Sequence, residues 1–208
     1  MIQCIVRTAV HGAVCIAMAA SAQIGPSEPA RADPARLMNE LMAGNVPIGG
    51  PFVLTDQDGY LTGPEQWRGR ISLLYFGYMF CPDACPAALS DMGAAIEALG
   101  ALGARVQPVF VTLDPTRDTP KLRGDYARSF NPRFLALGGT EDEVRRVALA
   151  YKVFYEEVPL AGSDHYLIDH TSFTYVLDSN GQYVGYFPPG TSASRMAEQL
   201  RNLLAGNS

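Results

Sequence analysis

Hydrophobic residues fall along this chain in two rhythms. Ile71-Ser72-Leu73-Leu74-Tyr75-Phe76 is a nearly unbroken apolar run, as is Val106–Thr112. Runs of that length suit strands buried on both faces of a sheet. Between them Leu89, Met92, Ile96 and Leu99 recur at helical spacing. Leu122, Tyr126 and Phe130 predict one face of a short helix after Pro120, and Phe134–Leu137 a short strand. Thr140-Glu141-Asp142-Glu143 spells a capping box before the stripe Val144, Val147, Ala148 and Tyr151. Met196, Leu200 and Leu203 mark a closing helix. Two hairpins frame these elements. Phe52–Thr55 and Tyr60–Thr62 flank an Asp-Gly turn that Gly63-Pro64 closes off. Ser172–Leu177 and Gln182–Phe187 flank Asp178-Ser179-Asn180-Gly181.

The predicted order is hairpin, β, α, β, α, β, α, β-β, α. Strands alternating with helices imply a mainly parallel sheet covered on both faces, and the terminal hairpin adds antiparallel strands. The expected class is α/β: a thioredoxin-like three-layer α/β/α sandwich with an N-terminal hairpin and a mixed central sheet.

Upstream of this pattern the chain changes character. Residues 1–22 carry one charge, Arg7, then a mostly apolar stretch ending in Ala20-Ser21-Ala22. That is the layout of a signal peptide or N-terminal membrane anchor, and it predicts export. Residues 23–45 hold three prolines and several small residues, a flexible linker. The folded domain is expected over 46–208. Of 208 residues 48% are hydrophobic, enough for a sizeable core. A net charge of -5 with scattered cations argues against nucleic-acid binding.

Export sharpens the cysteine arithmetic. Cleavage removes Cys4, Cys15 and His11, leaving Cys81 and Cys85 with His165 and His170. A domain of this size has no need of one four-residue loop stapled for stability, so the pair points to reactivity or a metal. The cysteines follow a buried strand and enter a helix, where open α/β sheets place their sites. Pro82 keeps Cys81 extended, Asp83 is positioned to cap the helix, and Pro86 is tolerated in the first turn. The positive helix end favours thiolate at both sulfurs. Three intervening residues let both sulfurs face one external point, a soft pair suited to Cu(I) or Zn(II).

His170 immediately precedes Ser172–Leu177, and the loop entering that strand of a thioredoxin-like sheet faces the cysteine helix. His170 is therefore the candidate third ligand of an S₂N site, and His165 an exposed loop residue. The bland alternatives are a structural disulfide and a histidine that only caps its loop. Asp114 and Arg117 in Asp114-Pro115-Thr116-Arg117-Asp118-Thr119-Pro120 are candidates to orient the cysteine loop or to pair with each other. Asp118 or Thr119 is expected to cap the following helix, with Pro120 at its first position. Tyr75, Tyr78, Phe80 and Tyr166 are expected to ring the site as packing residues, and Trp67 to be an apolar anchor.

Four stretches together resemble the Sco/SenC family of copper-binding cytochrome c oxidase assembly proteins. They are FGYMFCPDACP (76–86), VTLDPTRDTP (111–120), AYKVFYEEVP (150–159) and LIDHTSFTYVLDSNG (167–181), and the resemblance spans roughly 50–206. It implies a thioredoxin-like fold and a copper site, as Cu(I) or Cu(II), made by Cys81, Cys85 and His170. Many members have threonine two residues before the first cysteine; here it is Met79.

The implied function is delivery of copper to the binuclear copper site of cytochrome c oxidase subunit II. Another copper chaperone or a thioredoxin-like reductant is a further partner. The implied place is the periplasmic side of the inner membrane, for a monomer that is soluble or N-terminally tethered. The alternative is a thiol–disulfide oxidoreductase, with Cys81 and Cys85 as a redox pair that keeps the oxidase cysteines reduced. A peroxidase is a weaker reading, because Tyr78 stands where peroxiredoxins carry threonine. A Cys₂His zinc enzyme has no substrate-site signature to support it.

Overall fold

The computed structural model describes residues 47–206. The expected leader (1–22), the expected linker (23–45) and the first residue of the expected domain lie outside the described residues.

The two apolar runs form strands β3 (Ile71–Gly77) and β4 (Val106–Thr112), both buried along their whole length. They pair in parallel, and β5 (Leu135–Leu137) continues the parallel arrangement beside β4. On the other side of β3 lies β8 (Thr174–Leu177), antiparallel, followed by β9 (Tyr183–Phe187), also antiparallel. The five strands run in the order β5-β4-β3-β8-β9. Side chains alternate across this sheet. Tyr75 and Phe110 face α1 (Ala84–Ala98) and α2 (Pro120–Phe130), with the Phe110 ring 5.7 Å from that of Tyr126. Phe76 points the other way, into Tyr151 and Tyr175 at 5.6 and 5.8 Å. Tyr151 follows α3 (Glu141–Ala150), so α3 covers this second face. The closing helix α4 (Ala193–Gly206) packs against α1. This is the expected three-layer sandwich with a mixed sheet.

Local signals hold in several places. The capping box of α3 is complete, with Thr140 and Glu143 serving each other's backbone N–H. The N-terminal hairpin forms as the two-residue strands β1 (Leu54–Thr55) and β2 (Leu61–Thr62). Trp67 is buried and donates its indole N–H to Thr62 Oγ1 at 2.9 Å.

Three expectations are corrected. The buried face of α2 is Arg123, Gly124 and Ala127, whereas Leu122 is exposed. Arg123 can be buried because its guanidinium makes four hydrogen bonds to carbonyl oxygens: Ala136, Thr55 and Asp56 at 3.0–3.1 Å, and Asp118 at 3.4 Å. Thr119 sits at the N-cap of α2 but makes no side-chain cap, and Asp118 turns inward instead. Finally, an extra hairpin lies between α3 and β8. Strands β6 (Tyr155–Pro159) and β7 (Tyr166–His170) pair antiparallel as a separate two-stranded sheet. Four of the five β6 residues are exposed, so no alternation of burial announces the strand.

Candidate metal centre

Cys81, Cys85 and His170 come together at the carboxyl end of β3. Their ligand atoms all lie within 4.8 Å of one another. Each arrives by a different local route. The chain leaves β3 at Gly77, and the amide of Cys81 closes a turn onto the Tyr78 carbonyl at 3.3 Å. Cys81 Sγ then accepts the backbone N–H of Cys85 at 3.3 Å. That bond takes a free N–H of the first turn of α1, a role expected of Asp83. Asp83 occupies the N-cap position without a side-chain cap, its carboxylate left exposed. Cys85 is on the inner face of the helix and fully buried, while Cys81 is partly exposed. Neither is in a disulfide.

The imidazole comes from the last residue of β7. Its Nε2 lies 3.4 Å from Cys85 Sγ. Its Nδ1 lies 3.2 Å from the Thr171 carbonyl oxygen, which can only accept, so Nδ1 carries the proton. Nε2 is therefore the ring nitrogen that faces the sulfurs. A backbone carbonyl that fixes the tautomer is the usual support of a metal-binding histidine. Tyr75 and Tyr78 stand edge-on to the ring, with centroids at 6.1 and 5.9 Å. His165, by contrast, is exposed.

The two sulfurs are electrostatically unequal. A hydrogen bond from the Cys85 thiol is the largest influence on Cys81, and hydrogen bonds from His170 and from the backbone amides of Cys85 and Asp83 add to it against the opposing effect of burial. Together they hold Cys81 down to about 3, so it is a thiolate at neutral pH. The same contact, with burial, drives Cys85 strongly upward. The metal-free pair thus shares one proton, held on Cys85. The helix end alone predicted two thiolates; the close approach of the sulfurs prevents both from ionising together.

Behind the donors, the segment Leu113–Thr119 reaches both halves of the site. Asp118 accepts the backbone N–H of Met79 at 3.1 Å and the Thr112 hydroxyl at 2.7 Å. Asp114 accepts the Tyr166 hydroxyl at 3.1 Å and pairs with Arg117. Arg117 lies over the Tyr166 ring at 3.5 Å and near Phe80 at 5.1 Å. Phe80 and Tyr166 therefore flank Arg117, while Tyr75 and Tyr78 flank His170. The inward role of Asp118 was missed. Its only sequence signal was a second carboxylate four residues after Asp114.

Two sulfurs and an imidazole with its Nδ1–H already engaged are a soft, partly exposed donor set, which fits copper better than a hard cation. A thioredoxin-like sandwich carrying such a set at its sheet end defines a thiol-based metal-binding protein. The family model described as SCO1/SenC matches residues 41–205, and the chain belongs to that family. It is 42% identical over 159 residues to an SCO2-like protein of Rickettsia conorii, covering 76% of this chain and 78% of the relative. Among solved structures, the ScoI protein of Bradyrhizobium japonicum with copper bound is 35% identical, with a TM-score of 0.70 over 75% of this chain and 99% of that one. ScoI of Arabidopsis thaliana with copper bound is 32% identical, with a TM-score of 0.72 over 76% and 99%.

Proposed function

We propose that this protein binds copper through Cys81, Cys85 and His170 and hands it to cytochrome c oxidase during assembly, the recipient being the binuclear copper site of subunit II. The convergence of the three donors within 4.8 Å carries the reading. Membership of the SCO1/SenC family supports copper as the cargo. Two thiolates favour Cu(I), and the imidazole makes Cu(II) tolerable. Cys81 is the more accessible of the two sulfurs, so incoming thiolates of a recipient displace it before Cys85. Because Cys85 holds a proton in the metal-free pair, loading copper expels it. Export by way of residues 1–22 places the domain, read as 46–208, on the side of the membrane where that subunit exposes its copper site.

A second reading rests on the inequality of the sulfurs. The Cys81 thiolate attacks a target disulfide and releases one target thiolate. Cys85 then gives up its proton, attacks Cys81 and releases the second, leaving an intramolecular disulfide. That chemistry makes no use of His170. The presence of a third donor, with its tautomer set, favours copper.

Anaerobic Cu(I) titration of the reduced protein against a chromophoric chelator tests the proposal. Tight equimolar binding, lost in Cys81→Ser and weakened in His170→Ala, is expected, with oxidase assembly failing in both variants. Unaltered affinity and assembly in His170→Ala would refute the ligand set.

A further inference from the structure

We propose that Arg117 is a positioning residue for His170: it locks the β6–β7 hairpin against the body of the domain and so sets the imidazole's distance from the two sulfurs. This rests on the copper-binding reading. The hairpin that carries His170 has no ladder to the main sheet. At its base, Thr171 donates its backbone N–H to the Phe154 carbonyl at 2.9 Å and returns its hydroxyl oxygen to the Phe154 N–H at 3.1 Å. Those bonds join β6 to the end of β7, that is, the hairpin to itself. A tie to the domain is made at the other end of β7. There Arg117 Nη1 donates to the Tyr166 carbonyl at 2.9 Å, and the guanidinium carbon lies over the Tyr166 ring, 3.5 Å from its centroid. The Asp114 carboxylate, with 1% of its side chain exposed, pairs with Arg117 and accepts both the Tyr166 hydroxyl and the Arg117 backbone N–H.

Tyr166 and His170 are the first and last residues of one five-residue strand. A strand transmits displacement along its length, so fixing Tyr166 fixes where His170 enters. The cysteine loop has separate moorings. Asp118 holds the Met79 amide, and Leu113 donates its N–H to the Gly77 carbonyl at 2.7 Å. Arg117 touches the cysteine loop through the Phe80 ring alone, at 5.1 Å, and hydrogen-bonds to β7, so its loss acts chiefly on the nitrogen arm of the site. Lysine is a poor substitute, because the site uses a planar fork that stacks and donates at once.

A double-mutant cycle tests this. Cu(I) affinity is measured by chelator competition for the unmutated protein, Arg117→Ala, His170→Ala and the double variant. Arg117→Ala should weaken binding about tenfold when His170 is present. In the His170→Ala background it should change affinity by less than about twofold, since its effect passes through the imidazole. An equal loss in both backgrounds, or no loss in either, overturns the proposal. A copper-free readout stands beside it. The chain has three histidines, so the ring signals of His170 and His165 can be followed by NMR. Arg117→Ala and Arg117→Lys should shift and broaden His170 in the metal-free protein. Unchanged His170 signals in folded variants also overturn it. If the unmutated protein binds no Cu(I), the copper reading fails, and the NMR arm still decides whether Arg117 holds the hairpin.

Discussion

Gly77 is the tightest constraint on the site, and replacing it with alanine is the most direct test of the geometry. It is the last residue of β3, and its carbonyl is already used by Leu113. A Cβ at this position would lie 2.7 Å from Cys85 Sγ and 2.9 Å from a ring carbon of Tyr75. Comfortable contacts of this kind are about 3.5–4.0 Å, so something must move by about 1 Å. Tyr75 is fully buried in the packed face of the sheet, and Phe110 stands 3.4 Å from the same point. The cheaper movement is of the sulfur. Metal sites tolerate ligand displacements of only about 0.2 Å, five times less.

The expected stability cost is that of overpacking, about 1–3 kcal/mol in urea unfolding. The expected loss of Cu(I) affinity is at least about tenfold, read by chelator competition on the folded, reduced variant. Gly206→Ala is the control, because a Cβ there meets open space. Binding by Gly77→Ala within about twofold of the unmutated protein would mean that Cys85 Sγ can swing away and still ligate. That result would refute the claim that the backbone holds this sulfur in place.

Copper loading should release about one proton per Cu(I) near neutral pH, because Cys81 is already a thiolate and Cys85 is not; titration in weak buffer with a pH indicator checks this, and release of two protons or none would contradict the shared proton. Asp118 is pushed up to about 6, chiefly by burial. The native state thus holds its proton more tightly than the unfolded chain. Its contribution to stability is complete below the ordinary carboxylate value and is lost as pH rises through about 6, a swing on the order of 3 kcal/mol. Urea unfolding of Asp118→Asn should lack that fall between about pH 4 and pH 7, and parallel curves for the two proteins would disprove it. Arg123→Met strips the hydrogen bonds from a cluster of buried carbonyls and should lower unfolding stability by about 3 kcal/mol, whereas a loss under about 1 kcal/mol would show that water or a relaxed loop replaces the guanidinium.

Sequence legibility followed burial. Strands β3 and β4 are apolar on both faces and could be read at once, as could the capped helix α3. The β6–β7 hairpin could not, because β6 lies mostly in solvent and β7 buries only Ile168, so neither strand shows an alternation of burial. The face of α2 was misread for a related reason. Hydrophobic spacing selected Leu122, but a buried arginine with carbonyl partners took the inward position. Periodicity carries no signal for a charge satisfied at a distance in sequence. The same blindness hid Asp118, whose partners are an amide 39 residues earlier and a hydroxyl six residues earlier.

The site divides along the same line. Cys81 and Cys85 are four residues apart on a strand–helix junction, so proximity in the chain brings their sulfurs together, and the motif was enough to find them. His170 is 85 residues from Cys85 and sits on a hairpin outside the main sheet. Its approach depends on side chains of the Asp114–Asp118 segment, which leaves β4 at the same sheet edge. One short loop touches the cysteine loop through Asp118 and the histidine strand through Arg117. The sulfur arm is therefore set by local chain geometry and the nitrogen arm by tertiary contacts. That asymmetry suits a protein whose task is to hold copper and then give it up. The two sulfurs stay together whatever the hairpin does, while the strength of the third bond depends on the hold of Arg117 on Tyr166.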